Sequence, residues 1–156
     1  MGIYLQNLLQ IEGDPVENEL RLVKQRVTEN LDSSRRLTYK LLNPELVVPD
    51  IYRKSNFVPE HHRIAYTRIR LGSHRFRIET GRWSRIPRER RLCNCGHIQD
   101  EDHVLLKCTL LSDIRMRFAS LNYMTLESLM NSEDFASLSH YLYVIMKKVN
   151  EINEQR

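Results

Sequence analysis

Apolar residues recur at three- and four-residue steps over two long stretches, which predicts a mainly α-helical chain. In the first, Val16, Leu20, Val23, Val27 and Leu31 follow Asp14-Pro15, an acidic cap and a proline suited to the first helical position. In the second, Leu138, Leu142, Ile145, Met146 and Val149 form a stripe behind Asn131-Ser132, read here as the cap. The polar tail after Asn150 is expected to fray. Pro59-Glu60 opens a further helix, with Ile64, Thr67/Arg68 and Leu71 on one face and Arg63 and Arg70 on others, weakened at Gly72-Ser73. Residues 36–42 suit a short helix ended by Asn43-Pro44. Leu46 to Ile51 reads as extended because Pro49 interrupts it, and 54–58 reads as loop. From His74 to Thr80 the pattern alternates, Phe76 and Ile78 against Arg75, Arg77 and Glu79, which fits a short strand or a continued helix. Gly81 and Pro87 bracket an expected loop carrying Arg82, Trp83 and Arg85. Asp113 to Ala119 resumes a helical pattern.

Composition changes this picture in one place. The chain of 156 residues is 41% hydrophobic and 28% charged, suited to a single modest core, and no apolar run approaches the roughly 20 residues of a membrane-spanning helix. The formal net charge is +4, but residues 63–91 alone hold ten arginines against two glutamates and no lysine. Arg68, Arg70, Arg75, Arg77, Arg82, Arg85, Arg88, Arg90 and Arg91 are interleaved with Phe76 and Trp83. Guanidinium groups grip phosphate in pairs of hydrogen bonds and stack on bases, so arginine mixed with aromatic rings points to nucleic acid. The alternative is that the aromatic residues are core and the arginines a solvated face.

The three cysteines all fall between positions 93 and 108, with two histidines among them. An odd number in so short a span fits a metal site in a reducing compartment better than a disulfide framework. The order is Cys93-x-Cys95, seven residues, His103, four residues, Cys108. Structural zinc takes four tetrahedral nitrogen or sulfur ligands, and two local pairs joined by a short loop supply them. Gly96, directly after the first pair, suits a tight turn. Five residues subtend about 500° on an ideal α-helix, so His103 and Cys108 converge only if a helix begins or ends between them. His97 is the rival ligand; His103 is preferred because His97 crowds the Cys-x-Cys-Gly turn. Glu101 and Asp102 are read as first-turn acids of the helix carrying His103. Four strong ligands leave no open position for water, so a structural ion is expected rather than a hydrolytic one. The fold class that follows is a small, mainly α domain with a CCHC zinc knuckle between helices.

With these residues in view, positions 67–108, TRIRLGSHRFRIETGRWSRIPRERRLCNCGHIQDEDHVLLKC, resemble the C-terminal segment that follows the polymerase domain in LINE-type (non-LTR) retrotransposon reverse transcriptases. Residues 1–66 are similar to the helical connector upstream of it. The resemblance implies a zinc-binding, CCHC-type module that helps hold template RNA or target DNA, with Cys93, Cys95, His103 and Cys108 as ligands to one structural Zn2+. No Tyr-x-Asp-Asp or Phe-x-Asp-Asp element occurs, so the polymerase site is absent, and 48 residues after Cys108 are too few for an endonuclease. The chain resembles a separated terminal piece.

Three segments are therefore expected to pack as one domain: a connector at 1–58, an arginine-rich and zinc-binding segment at 59–118 and a helical segment at 119–156. The expected function is binding of single-stranded or template RNA or DNA through the arginines and Trp83, without catalysis. The competing reading is a protein-interaction adaptor with a structural zinc, using the Leu138–Val149 stripe or the acidic 100–102 patch. A location inside the cell, in cytoplasm or nucleus, is expected, with Arg88-Glu89-Arg90-Arg91 as a localisation signal.

Overall fold

The computed structural model describes residues 15–33, 48–53, 58–121 and 124–155. It is mainly helical: α1 (Pro15–Ser33), α2 (Asp50–Arg53), α3 (Glu60–Arg70), α4 (Arg77–Trp83), α5 (Ser112–Arg117), α6 (Leu126–Met130) and α7 (Phe135–Glu154), with short 3-10 and π turns between them. Among the described residues there is no strand, only a single antiparallel bridge between Leu92 and Ile98. No described helix is long and apolar enough to cross a membrane.

The expected stripe on α7 is the spine of the core. Leu138, Leu142, Ile145, Met146 and Val149 are all buried, and α7 packs along α3. The inward face of α3 is rotated from the one the local pattern suggests. Ala65, Tyr66, Ile69 and Arg70 point in, while Ile64 and Leu71 are exposed. One long-range polar contact and one within the helix go with this rotation: the Tyr66 hydroxyl donates to the Met130 carbonyl at 3.4 Å and receives Arg70 Nη1, one turn along α3, at 2.9 Å. The short α2 occupies part of the stretch expected to be extended, with Tyr52 N–H bonded to the Pro49 carbonyl at 3.0 Å. Thr67 Oγ1 donates to the Arg63 carbonyl, so the Tyr52 hydroxyl donates to Thr67 Oγ1 at 2.6 Å and pins α2 to α3.

One buried cluster runs from Ile51 through Val104, Leu105 and Leu111 to Leu129 and Val149, so the arginine-rich and C-terminal segments share a core. Helix α6 carries Leu129 and Met130 into it. A reciprocal capping box between Thr125 and Ser128 starts α6 where the sequence pattern gives no element. Helix α7 is capped by Asp134, whose carboxylate receives Ser137 N–H at 3.0 Å, not by Asn131-Ser132. It continues through Glu154, past the point of expected fraying. Helix α1 matches its expected span, and its described apolar residues Leu20 and Val23 are 54% and 44% exposed. The expected cap Asp14, the helix at 36–42, Leu46 and the loop at 54–57 lie outside the described residues.

Two turns lead from α3 to the cysteines, and both end a helix in the same way. Gly72 N–H bonds to Ile69 O and Ser73 N–H to Arg68 O, with Gly72 at φ +59°. Arg85 N–H bonds to Arg82 O and Ile86 N–H to Gly81 O, with Arg85 at φ +56°. Each is a Schellman cap, whose left-handed position glycine fills at least cost. The second places an arginine there. Helix α4 realises the helical one of the two alternatives for His74–Thr80 from Arg77 on, and it runs through Gly81 to Trp83 into the stretch expected to be loop. Glycine suits position 81 of this helix because the Arg91 side chain crowds the place of a Cβ, its Cγ only 2.7 Å from that position.

Candidate metal centre and arginine face

The first ligand pair sits on a short antiparallel turn. Cys93 N–H bonds to the His97 carbonyl at 2.7 Å, Gly96 N–H to the Cys93 carbonyl at 2.9 Å, and Gln99 N–H to the Arg91 carbonyl at 2.9 Å. Gly96 takes φ +94°, with nothing within 4 Å of a would-be Cβ, so backbone conformation alone demands glycine there. The second pair is brought together, as expected, where a helical segment ends between its two ligands: the segment opening at Glu101 widens into a π turn over His103–Lys107, closed by Cys108 N–H to the His103 carbonyl at 2.7 Å, and Cys108 lies just past its end. An i→i+5 turn sets the fifth residue above the first, which an α-helix does not do. Asp100 starts this turn, its Oδ1 accepting from His103 N–H at 3.0 Å and its Oδ2 from Arg88 Nη2 at 3.0 Å.

The result is four ligand atoms, from Cys93, Cys95, His103 and Cys108, all within 4.8 Å of one another. Cys93 Sγ and Cys108 Sγ are 3.7 Å apart, Cys95 Sγ and Cys108 Sγ 3.8 Å, and Cys95 Sγ and His103 Nε2 3.1 Å. A tetrahedral ion with metal–sulfur bonds of about 2.3 Å requires sulfur–sulfur edges of about 3.8 Å. The cluster can therefore hold a metal ion with little rearrangement. Cys93, Cys108 and His103 are buried, and no disulfide joins the thiols. His97 lies outside the four-atom group: its Nδ1 is 3.8 Å from Cys95 Sγ, and its exposed ring stacks on His103 with centroids 5.3 Å apart.

The proton chemistry also suits a cation. Burial pushes the Cys108 thiol up to about 12, reinforced by the neighbouring Cys93. Burial acts on Cys93 in the same sense, but hydrogen bonds from Cys95, Gln99 and Cys108 outweigh it and hold that thiol below its ordinary value. Burial, followed by the nearby His97, holds His103 down and neutral. Three thiols this close do not ionise together unless a positive charge lies among them, and thiolates with a neutral imidazole are what a metal binds.

Several residues that support the centre have no sequence signature. Buried Gln99 accepts Arg77 N–H at 2.8 Å and exchanges two amide hydrogen bonds with Asn153, both 3.1 Å. Asn94 Nδ2 reaches the Ile152 carbonyl at 3.3 Å. Both join the turn to the end of α7. His74, fully buried, accepts Phe76 N–H on Nδ1 at 3.3 Å, so its Nε2 carries the proton given to Glu101 Oε1 at 2.9 Å. Burial raises the Glu101 carboxyl, yet the hydrogen bond and electrostatic attraction of His74 outweigh it and leave it below the usual range. Glu101 and Asp102 do open the helical segment that carries His103, where Glu101 is the buried partner of His74 and Asp102 pairs with Lys107.

The structure sorts the arginines into two sets. Arg70 is buried against Tyr66, its guanidinium 5.4 Å from the ring centroid, and offers nothing to a surface ligand. Arg77 donates to the Leu92 carbonyl at 2.5 Å, Arg91 to the carbonyls of Ile86 and Ile78 at 2.8 and 2.9 Å, Arg82 to Glu79, and Arg88 to Asp100. These side chains fasten α4 to the metal-binding turn. Arg68, Arg75, Arg85 and Arg90 are exposed, and their side chains make no hydrogen bond or ion pair with another described residue. Trp83, at the end of α4, is 62% exposed. Phe76, by contrast, is core.

Comparison with family models, with curated proteins and with solved structures finds no match to this chain. The functional reading therefore rests on the site itself.

Proposed function

We propose that this chain is a nucleic-acid-binding module stabilised by one structural zinc ion. The ion would be held by Cys93, Cys95, His103 and Cys108, and it would supply a rigid, charge-neutralising cross-link rather than a reaction centre. A Cys3His set prefers zinc among the common divalent ions, because thiolate and imidazole are soft enough for it and its tetrahedral demand matches four ligands. The observation that carries the binding role is Trp83: a large indole left 62% exposed at the end of α4, two residues before exposed Arg85, whose side chain has no partner among the described residues. A solvated indole close in sequence to exposed guanidinium groups is an arrangement suited to stacking on an unpaired base while holding its phosphate.

Two findings weigh against the adaptor. The Leu138–Val149 stripe is spent on the core, and Asp100, Glu101 and Asp102 each have an internal partner. The LINE-type resemblance agrees with the nucleic-acid reading and supplies the choice of template RNA or target DNA as ligand.

Trp83 is the single tryptophan of the chain, so its emission reports directly on the proposed contact. Titration of the zinc-loaded protein with a single-stranded 20-nucleotide RNA is expected to quench Trp83 emission. The association constant is expected to fall steeply between 50 and 200 mM salt, on the order of tenfold or more for a few phosphate contacts. Replacing both Arg85 and Arg90 by Gln is expected to shrink that salt dependence. Unchanged emission together with no binding at 50 mM salt sinks the proposal.

A further inference from the structure

Two adjoining hollows, of about 300 and 230 Å³, lie along α4, and Arg77 and Thr80 line both. Asn150 and Asn153 of α7 complete the first, and Arg90 and Arg91 from beyond the α4 cap the second. Arg77, Thr80, Gly81 and Ser84 recur at three- and four-residue steps, so the two hollows form one groove on a single face of the helix. Arg75, Arg77, Arg90 and Arg91 line this groove against one carboxylate, Glu154, and no aromatic ring.

The guanidinium groups in it are held in place. Arg91 gives Nε to the Ile86 carbonyl at 2.8 Å and Nη1 to the Ile78 carbonyl at 2.9 Å. Its Nη2 makes no hydrogen bond with a described residue and is not sealed from solvent. Arg77 is fixed likewise, with Nη1 on the Leu92 carbonyl at 2.5 Å. A guanidinium already held gives up little conformational freedom when it meets a ligand. Arg75 and Arg90 are exposed, with no side-chain partner among the described residues, and Ser84 is exposed as well. Guanidinium and hydroxyl donors without a ring to stack on suit phosphate oxygens rather than bases.

We propose that this groove takes the sugar–phosphate backbone of one nucleic-acid strand, one phosphate in each hollow, and reads no base. The inference rests on the nucleic-acid reading above and names the surface that meets the phosphates. Trp83 sits next to Ser84, about 100° around α4 from it, so the bases of a strand in the groove are left for the indole.

The test is a salt titration of the zinc-loaded full chain with a 20-nucleotide single-stranded RNA and with an abasic strand of equal length, read by fluorescence anisotropy of the labelled strand. The abasic strand is expected to bind without quenching Trp83, and its slope of log K against log salt should match that of the RNA. Arg75→Gln, in the first hollow, is expected to reduce the slope by about 0.7 for both strands, the share of one phosphate contact. In the second hollow, Ser84→Glu is expected to weaken both strands by about tenfold or more at 50 mM salt, and Ser84→Lys to tighten both, which a misfolded variant does not do. Arg117→Gln, at an exposed arginine that lines neither hollow, should change affinity by no more than about twofold. Inorganic pyrophosphate, the free form of the same chemistry, is expected to bind at least tenfold more weakly than the abasic strand; tighter binding assigns the groove to a small phosphate and overturns the proposal. If RNA binds while the variants of either hollow leave it unchanged, or while the abasic strand does not bind, the groove assignment falls and the nucleic-acid reading stands. If neither strand binds at 50 mM salt, both fall.

Discussion

Arg85 occupies the left-handed position of the cap that ends α4, where glycine is the usual occupant, and replacing it separates what the fold needs from what the surface is for. A non-glycine residue in that conformation costs roughly 1–2 kcal/mol. Glycine returns part of this, about 0.4–1 kcal/mol, through the greater freedom of the unfolded chain. The Arg85 side chain makes no hydrogen bond or ion pair with another described residue, so nothing else is lost from the folded state. Arg85→Gly is therefore expected to stabilise the protein by about 0.5–1 kcal/mol, raising the melting temperature by about 2–4 °C per kcal/mol for a chain of this size. Arg85→Ala keeps the strain and removes the charge, so its melting temperature should stay near that of wild type. Both variants should bind RNA more weakly, with the slope of log K against log salt reduced by about one contact. Strain kept at a ligand-binding position is a known use of such conformations. Calorimetry and the salt titration are the assays. A lower melting temperature for Arg85→Gly refutes the cap geometry, and unchanged RNA affinity in both variants refutes a role for Arg85 in binding.

Other substitutions probe the support of the centre. Glu101→Ala leaves the buried His74 N–H without a partner and is expected to cost about 1–3 kcal/mol, read from the urea midpoint. Adding His74→Phe on top removes that orphaned N–H but also the acceptor of Phe76 N–H, so the double variant should cost less than the sum of the two single variants, and full additivity would show that the two residues act separately. Gly96→Ala meets no steric obstacle yet must adopt φ +94°, so a strain of about 1–2 kcal/mol is expected to weaken zinc binding roughly tenfold in a chelator competition. Equal affinity would contradict the turn described here. His62 is held below its ordinary value by burial first, then by His61 and by His140, whose ring stacks on it at 4.8 Å. A histidine shifted downward contributes stability that is complete above its unfolded value of about 6.5 and is lost as pH falls through the lower folded value. Stability at saturating, monitored zinc is therefore expected to decline from pH 7 to 5, with a shallower decline in His62→Gln. A steeper one in that variant argues against the assignment.

Much of the site is legible in the sequence because its signals are local. Four ligand-type residues within sixteen positions announce a metal cluster, and Gly96 announces its turn. The α7 stripe likewise shows its period directly, and its residues are the core. What the sequence hides is set by partners far along the chain. Tyr66 reaches Met130, 64 positions away, in the rotation of α3 that puts Arg70 inside and Ile64 outside. Gln99 and Asn153 meet across 54 positions, and His74 finds Glu101 across 27. The π turn escapes because nothing in His103–Lys107 distinguishes a widened turn from an ordinary one. The arginine count marks a basic segment, but only the folded contacts divide it into side chains that hold α4 in place and those left exposed to solvent.

The most direct test is native mass spectrometry of protein purified without added metal, joined to zinc-edge X-ray absorption of the same sample. One zinc per chain is expected, with three sulfur ligands at about 2.3 Å and one nitrogen. The ion should persist in His97→Ala and be lost in His103→Ala and Cys108→Ser. A folded, metal-free chain, or zinc that survives His103→Ala but not His97→Ala, contradicts the centre described here.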